Sequence, residues 1–265
     1  MSTHIIEARD VSVTFGTGAN RVEAVKNVSL TLSAGEPLGI VGESGSGKST
    51  LARVLAGLQT PTSGQVYFNG EPIYKGNKSY TGQARRQVQM VFQDPYGSLN
   101  PQLTALSAVS EAVRIHNDCS RADAEIKAIE LLGRMGIAQL DASKKPRQLS
   151  GGQRQRVSVA RALSVNPSIL LADEPTSAID QSAQAQLLNI FHDLLKHGLA
   201  IVLVSHDLGV IRYLTNRVYV MKDGVFIEAG ETENIFNNPQ ETYTKELLAS
   251  IPGVLGTAAR QKLRN

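Results

Sequence analysis

Cysteine is nearly missing from this 265-residue chain: Cys119 stands alone, so neither an internal disulfide framework nor a cysteine-ligated metal cluster can form. That scarcity is consistent with a reducing compartment. Long apolar runs are missing too. The longest, such as Leu199-Ala200-Ile201-Val202-Leu203-Val204, have the length of a strand, short of the roughly 18 to 20 residues a membrane helix needs. Polar Ser2-Thr3-His4 and then Glu7 stand where a signal peptide would be apolar. Work at a membrane is therefore expected from the cytoplasmic side, through a partner. An excess of one charge is also lacking, since the formal net charge is only +3. The short basic groups, Lys144-Lys145 with Arg147 and the stretch from Arg260 to Arg264, read as a solvated face and a chain end, so no nucleic-acid partner is expected. The five histidines show no metal-ligand grouping, and no repeat or low-complexity segment interrupts the chain.

What is present is a 42% hydrophobic chain, of a size for one large domain or a core with a smaller lobe and tail. Alternating apolar positions predict strands at Ile5–Arg9, Val11–Phe15 and Val22–Leu32, then a buried strand Leu38–Val41 and a helix Thr50–Leu58. Gln65–Phe68 and Val88–Phe92 read as further strands. From Leu103 to Arg147 the spacing turns helical, at Ser110–His116 and Ala122–Met135, with Ile126, Ile129, Leu131 and Leu132 expected on one side. Strand character returns at Ile169–Ala172 and Ile201–Val204, separated by helix, and Val218–Met221 with Val225–Glu228 predicts a hairpin around Asp223-Gly224. Strand–helix alternation implies a mostly parallel sheet covered on both faces, an α/β fold.

Gly42-Glu43-Ser44-Gly45-Ser46-Gly47-Lys48-Ser49 fits G-x-x-x-x-G-K-[ST] between a predicted strand and a predicted helix. Glycines let the backbone curl so that successive N–H groups point at phosphate oxygens, and the helix start adds its positive dipole end. Lys48 is expected to reach the β- and γ-phosphates of a nucleotide, with Ser49 on Mg²⁺ and Thr50 opening the helix. The apolar strand Ile169–Ala172 runs into Asp173-Glu174. Asp173 could hold Mg²⁺ and Glu174 could act as general base on the attacking water; a helix cap is the plain alternative for such a pair.

Leu149-Ser150-Gly151-Gly152-Gln153 resembles the signature motif of ATP-binding cassette (ABC) proteins. By its residues alone it would read as the cap of the helix Arg154–Leu163. The resemblance, which runs from about residue 5 to 250, implies that two domains pack head to tail and that each signature loop covers ATP held by the other's cradle. It further implies that Gln93 senses Mg²⁺ and water, that Ser177-Ala178-Ile179-Asp180 is the D-loop touching the opposite domain, and that His206 contacts the γ-phosphate. Isoleucine at 179 replaces the usual leucine. Phe15 matches the aromatic that stacks on adenine, although a core phenylalanine is an open alternative.

The fold implied is a P-loop NTPase core with a mostly parallel sheet, an N-terminal antiparallel β subdomain and an inserted α-helical subdomain. The expected divisions are 1–93 with 160–235 for the core, 94–159 for the helical part and 236–265 for a tail. Val91-Phe92-Gln93-Asp94-Pro95-Tyr96-Gly97-Ser98-Leu99-Asn100-Pro101 looks like the glutamine loop of oligopeptide, dipeptide and nickel importer ATPases. Phe236-Asn237-Asn238-Pro239 with Tyr243-Thr244 and Leu247-Leu248 resembles that branch's tail, with Glu241-Thr242 in place of its usual His-Pro. The branch's cysteine-rich, iron–sulfur-binding extension is missing, so no iron–sulfur cluster is expected, and this fits the shorter ATPase of a heterodimer. The resemblance implies ATP and Mg²⁺ as ligands, a second ATPase subunit, two transmembrane permease subunits and an extracytoplasmic substrate-binding protein. The expected station is peripheral, at the cytoplasmic face. A soluble cassette ATPase of DNA repair or translation, or an exporter ATPase, are the alternatives; the long coiled-coil insertion of the former and the second cassette of the latter soluble type are not in the sequence.

Overall fold

A computed structural model describes residues 4–75, 78–79 and 83–250. The distal part of the expected tail, with Arg260 to Arg264, lies outside the described residues. Strand β1 (His4–Phe15) pairs antiparallel with β2 (Val22–Ser33). After β3 (Pro37–Val41) and helix α1 (Lys48–Leu55), β4 (Ser63–Phe68) returns to pair with β1, and β5 (Glu71–Pro72) closes that edge. The first sheet therefore has the order β2-β1-β4-β5.

Two separate strands were expected in the first fifteen residues, and one is found. Asp10, at φ +50°, forms a bulge that shifts the register between Ala8 and Val11, so the apolar alternation changes phase without ending the strand. Ile6, Ala8, Val11 and Val13 thereby all face the same core.

The second sheet contains β3, β6 (Val88–Val91), β7 (Ile169–Asp173), β8 (Ala200–Ser205), β9 (Arg217–Lys222) and β10 (Val225–Glu231). Its order is β10-β9-β3-β8-β7-β6; all neighbours are parallel except the β9–β10 hairpin. Every residue of β7 and β8 is buried. Alternate residues serve two cores: Ile169, Leu171, Val202 and Val204 face α1 and the antiparallel sheet, whereas Leu170, Ala172, Ile201 and Leu203 face the other side. A continuous apolar run is what a strand covered on both faces requires.

Helices α2 (Ala105–His116) and α3 (Arg121–Arg134) pack together and against α4 (Gly151–Leu163). Helix α2 starts earlier than its apolar spacing suggests, because Thr104 caps it by accepting the Ser107 N–H at 3.1 Å. The expected apolar face of α3 is corrected: Ala124, Ala128 and Leu132 are buried, while Ile126 and Ile129 are 57% and 41% exposed. Small alanines let α3 lie close to its neighbours, and the isoleucines fall on the outer side of the helix. The chain ends its described course with α5 (Gln181–Lys196), α6 (Leu208–Leu214), α7 (Thr232–Asn237) and α8 (Thr242–Ala249).

Candidate functional site

The glycine-rich loop leaves β3 and enters α1, whose first residue is Lys48. Two glycines decide its path. At Gly42 (φ +153°) a Cβ would stand 2.1 Å from the Met221 carbonyl oxygen, and at Gly47 (φ +106°) it would stand 2.2 Å from that of Ala24. Only a residue without a side chain lets the loop lie between β2 and β9. The helix start is thus brought over the sheet's C-terminal edge, where β3, β7 and β8 all deliver their last residues.

A cleft of about 670 Å³ opens there. It is lined by most of the loop (Gly42, Glu43, Ser44, Gly45, Gly47, Lys48, Ser49 and Thr50) and by Gln93, Glu174 and His206. Ser46 is buried behind the loop. Lys48 is 4% exposed, and its ammonium donates to the carbonyls of Gly42 at 2.9 Å and Glu43 at 2.6 Å. Burial pushes its pKa down, against the pull of Glu174, Asp173 and Glu43.

Asp173 and Glu174 have different environments although they are neighbours. Asp173 ends β7, buried, and its Oδ1 accepts the Ser49 hydroxyl at 2.8 Å. Burial raises its pKa, with the Ser49 hydrogen bond opposing. Glu174 has φ +44° and its N–H donates to the Val204 carbonyl at 2.8 Å. That backbone turn swings its carboxylate out of the sheet and into the cleft. There its Oε2 accepts Gln93 Nε2 at 2.9 Å and lies 3.2 Å from His206 Nδ1. Gln93 and His206, from two other strand ends, therefore converge on one oxygen of the Glu174 carboxylate. The arrangement can accept a proton from a water held beside a phosphate.

Ser49 and Asp173 also suit a hard cation. Both present oxygen, they are within contact of each other, and among the described residues no cluster of three or more His, Cys, Asp or Glu could form an all-protein metal cage. A Mg²⁺ ion bound through few protein groups and several phosphate or water oxygens matches such a donor set.

The signature residues are not brought to this cleft. Ser150 caps α4: its Oγ accepts the Gln153 N–H at 3.2 Å while Gln153 Oε1 accepts the Ser150 N–H at 2.9 Å. Leu149 is buried beneath. Gly151 lies against the segment of the expected D-loop, since a Cβ there would stand 2.9 Å from the Ala178 carbonyl oxygen, and Gly152 lies against Ala183 just beyond it. In that segment the Ser177 hydroxyl donates to the Glu174 carbonyl at 3.0 Å, and Asp180 caps α5 through the Ala183 N–H at 2.9 Å. Phe15 is 43% exposed at the end of β1, which is no core position. It does not line the cleft either, although its register partner Val22 is two residues from Ala24, which does. Sequence reasoning missed Ala24 and also Leu247 and Ser250 of the C-terminal segment, which line the cleft as well. The only signal for the latter pair was the likeness of the tail.

A model of the ABC transporter family matches residues 25–177. The chain is 38% identical over 255 residues to the oligopeptide transport ATP-binding protein OppF of Streptococcus pyogenes, covering 95% of this chain and 83% of that protein. It is 41% identical over 243 residues to the glutathione import ATP-binding protein GsiA of Pectobacterium atrosepticum, covering 91% of this chain and 39% of that protein. Among solved structures, a dimeric post-hydrolysis state of the ATP-binding cassette MJ0796 bound to ADP and Pi aligns with a TM-score of 0.76 and 33% identity, over 86% of this chain and 98% of that one.

Proposed function

The chain belongs to the ABC transporter family, and on that premise we propose that it is the ATP-hydrolysing subunit of an importer, energising uptake of peptides or nickel- and metallophore-type substrates through membrane subunits. Relatives named for oligopeptide transport and for glutathione import support a peptide-like cargo. The proposed partners are a second cassette ATPase in a heterodimer, two permease subunits and an extracytoplasmic binding protein, with this chain peripheral at the cytoplasmic face. No helix among the described residues is long and apolar enough to cross a membrane, which agrees with a peripheral role.

The observation that carries the hydrolytic reading is the Glu174 carboxylate held by Gln93 and His206 in the same cleft as Lys48. In the proposed cycle the amides of the Gly42–Ser49 loop that are not already bonded within the chain, as those of Glu43 and Ser46 are, grip the triphosphate, and Phe15 stacks on the base. Glu174 takes a proton as water oxygen attacks the γ-phosphorus; the bond to the β,γ-bridging oxygen breaks, and ADP and phosphate leave. Lys48, His206 and the partner's signature loop stabilise the charge on the transferred group. Ser49 and Asp173 would hold Mg²⁺, with Gln93 beside them, and the ion when bound offsets phosphate charge. Ser177 and Asp180 would meet the companion subunit, and the helical segment 94–159 would move against the membrane subunits as the dimer closes.

Glu174→Gln keeps the shape and the Gln93 contact but removes the base. In the purified complex, ATP affinity should stay within about threefold while turnover at this site falls by about a hundredfold or more. Near-normal hydrolysis, after subtracting the companion site's activity, would sink the assignment.

A further inference from the structure

Helix α8 reaches the phosphate loop from the far end of the chain. Its Leu247, and Ser250 just beyond, line the cleft. One turn earlier the Tyr243 hydroxyl accepts the backbone N–H of Glu43, the second residue of the loop, at 3.1 Å. This contact is built into the fold. The Tyr243 ring is 8% exposed and packs in the main core with Ile235, Phe236 and Leu248. The Lys222 ammonium sits 4.5 Å from its centroid. The start of α8 is fixed by a strand, not by its own loop: the Glu228 carboxylate in β10 accepts the N–H groups of Gln240 at 2.8 Å and Glu241 at 3.2 Å. Burial pushes the Tyr243 pKa up, so the hydroxyl keeps its proton and its neutral form at ordinary pH.

We propose that Tyr243 is a positioning residue for the nucleotide, its hydroxyl fixing the Glu43 amide and so presetting the curl of the phosphate loop. This rests on the ATP-site reading above and deepens it: the C-terminal helix becomes part of the site. The loop is held on one side where Gly42 abuts the end of β9 and on the other by Tyr243. An amide released at that point can turn toward water, and the loop must then be ordered again each time a triphosphate binds.

Tyr243→Phe in the full chain tests this, because it keeps the ring and the Lys222 contact and deletes one oxygen. Calorimetric titration with Mg-ATP and Mg-ADP should show affinities weakened about three- to tenfold, with the nucleotide-free melting temperature lowered by no more than one lost hydrogen bond accounts for. The Glu43 amide should exchange with solvent faster. In the assembled complex the KM for ATP should rise by the same factor while kcat stays within about twofold. Affinities equal to those of the unmodified chain would overturn the proposal. So would a loss of affinity without faster exchange at the Glu43 amide, which would place the effect of the hydroxyl elsewhere in the fold. Lys48→Ala is run alongside. If it leaves binding intact, the ATP-site reading fails and this inference fails with it; if it abolishes binding while Tyr243→Phe is silent, only the positioning role is lost.

Discussion

Among the described residues, Glu174 is the one with positive φ, outside the glycines, that is neither Asn nor Asp; the others are Asp10, Asn27, Asn69, Asn166 and Asp223. Asn and Asp visit that region at modest expense because their short side chains bond locally, and glutamate does not. Holding Glu174 there costs about 1–3 kcal/mol, offset by its N–H bond to Val204 and by the Gln93 contact. A second residue tells the opposite story. Thr244 is 1% exposed in α8, and its hydroxyl has no hydrogen-bond partner. An unmet buried hydroxyl costs about 1–3 kcal/mol, and nothing in the cleft uses it. Thr244→Val keeps the branched shape, so chemical denaturation should find the variant equal to the parent or more stable by about 1–2 kcal/mol. Destabilisation of more than about 1 kcal/mol would mean that the hydroxyl is bonded after all.

Between elements, spacing in three dimensions matters more than composition. Helix α4 approaches α5 so closely that a Cβ on Gly152 would stand 2.4 Å from the Ala183 Cβ. Gly152 has ordinary helical backbone, so space is the constraint. Gly152→Ala should therefore cost about 1–3 kcal/mol through overpacking, and adding Ala183→Gly should recover much of the melting temperature. A double variant no more stable than the single one would show that the helices are not in contact there. The phosphate loop was legible in the sequence because its residues are contiguous and its flanks are a strand and a helix. The parallel sheet was legible because β7 and β8 are apolar throughout, and the α/β fold expected from them is the one shared with solved ATP-binding cassettes. The convergence of Gln93, Glu174 and His206 was readable only through resemblance, since Gln93 and Glu174 meet across 81 residues and no periodicity spans that distance. The bulge at Asp10 and the outward turn of Ile126 and Ile129 escaped because both depend on which neighbour lies nearby. Helix α8 was seen as a tail and not as a wall of the cleft for the same reason.

Taken as a whole molecule, the chain carries two features suited to phosphate and keeps them apart. The cleft lining runs from Ala24 to Ser250 and does not include Ser150, Gly151, Gly152 or Gln153. Ser150 is exposed at the start of α4, where the capping box takes up the amides of Ser150 and Gln153 and leaves those of Gly151 and Gly152 without a carbonyl one turn back to receive them. One triphosphate needs one cradle, so the second donor set is available to a nucleotide on another subunit, the arrangement proposed above. This separation makes a prediction about where a defect is felt. Ser150→Arg adds bulk and charge at the α4 tip while leaving the chain's own cradle untouched. Calorimetric titration of the isolated variant should return an ATP affinity within about twofold of the parent. In the assembled transporter, hydrolysis at the companion's cradle should fall by about a hundredfold, read by inactivating this chain's own site with Glu174→Gln in both complexes being compared. If the variant instead weakens ATP binding to the isolated chain, the α4 tip acts on its own nucleotide, and the head-to-tail arrangement is wrong for this protein.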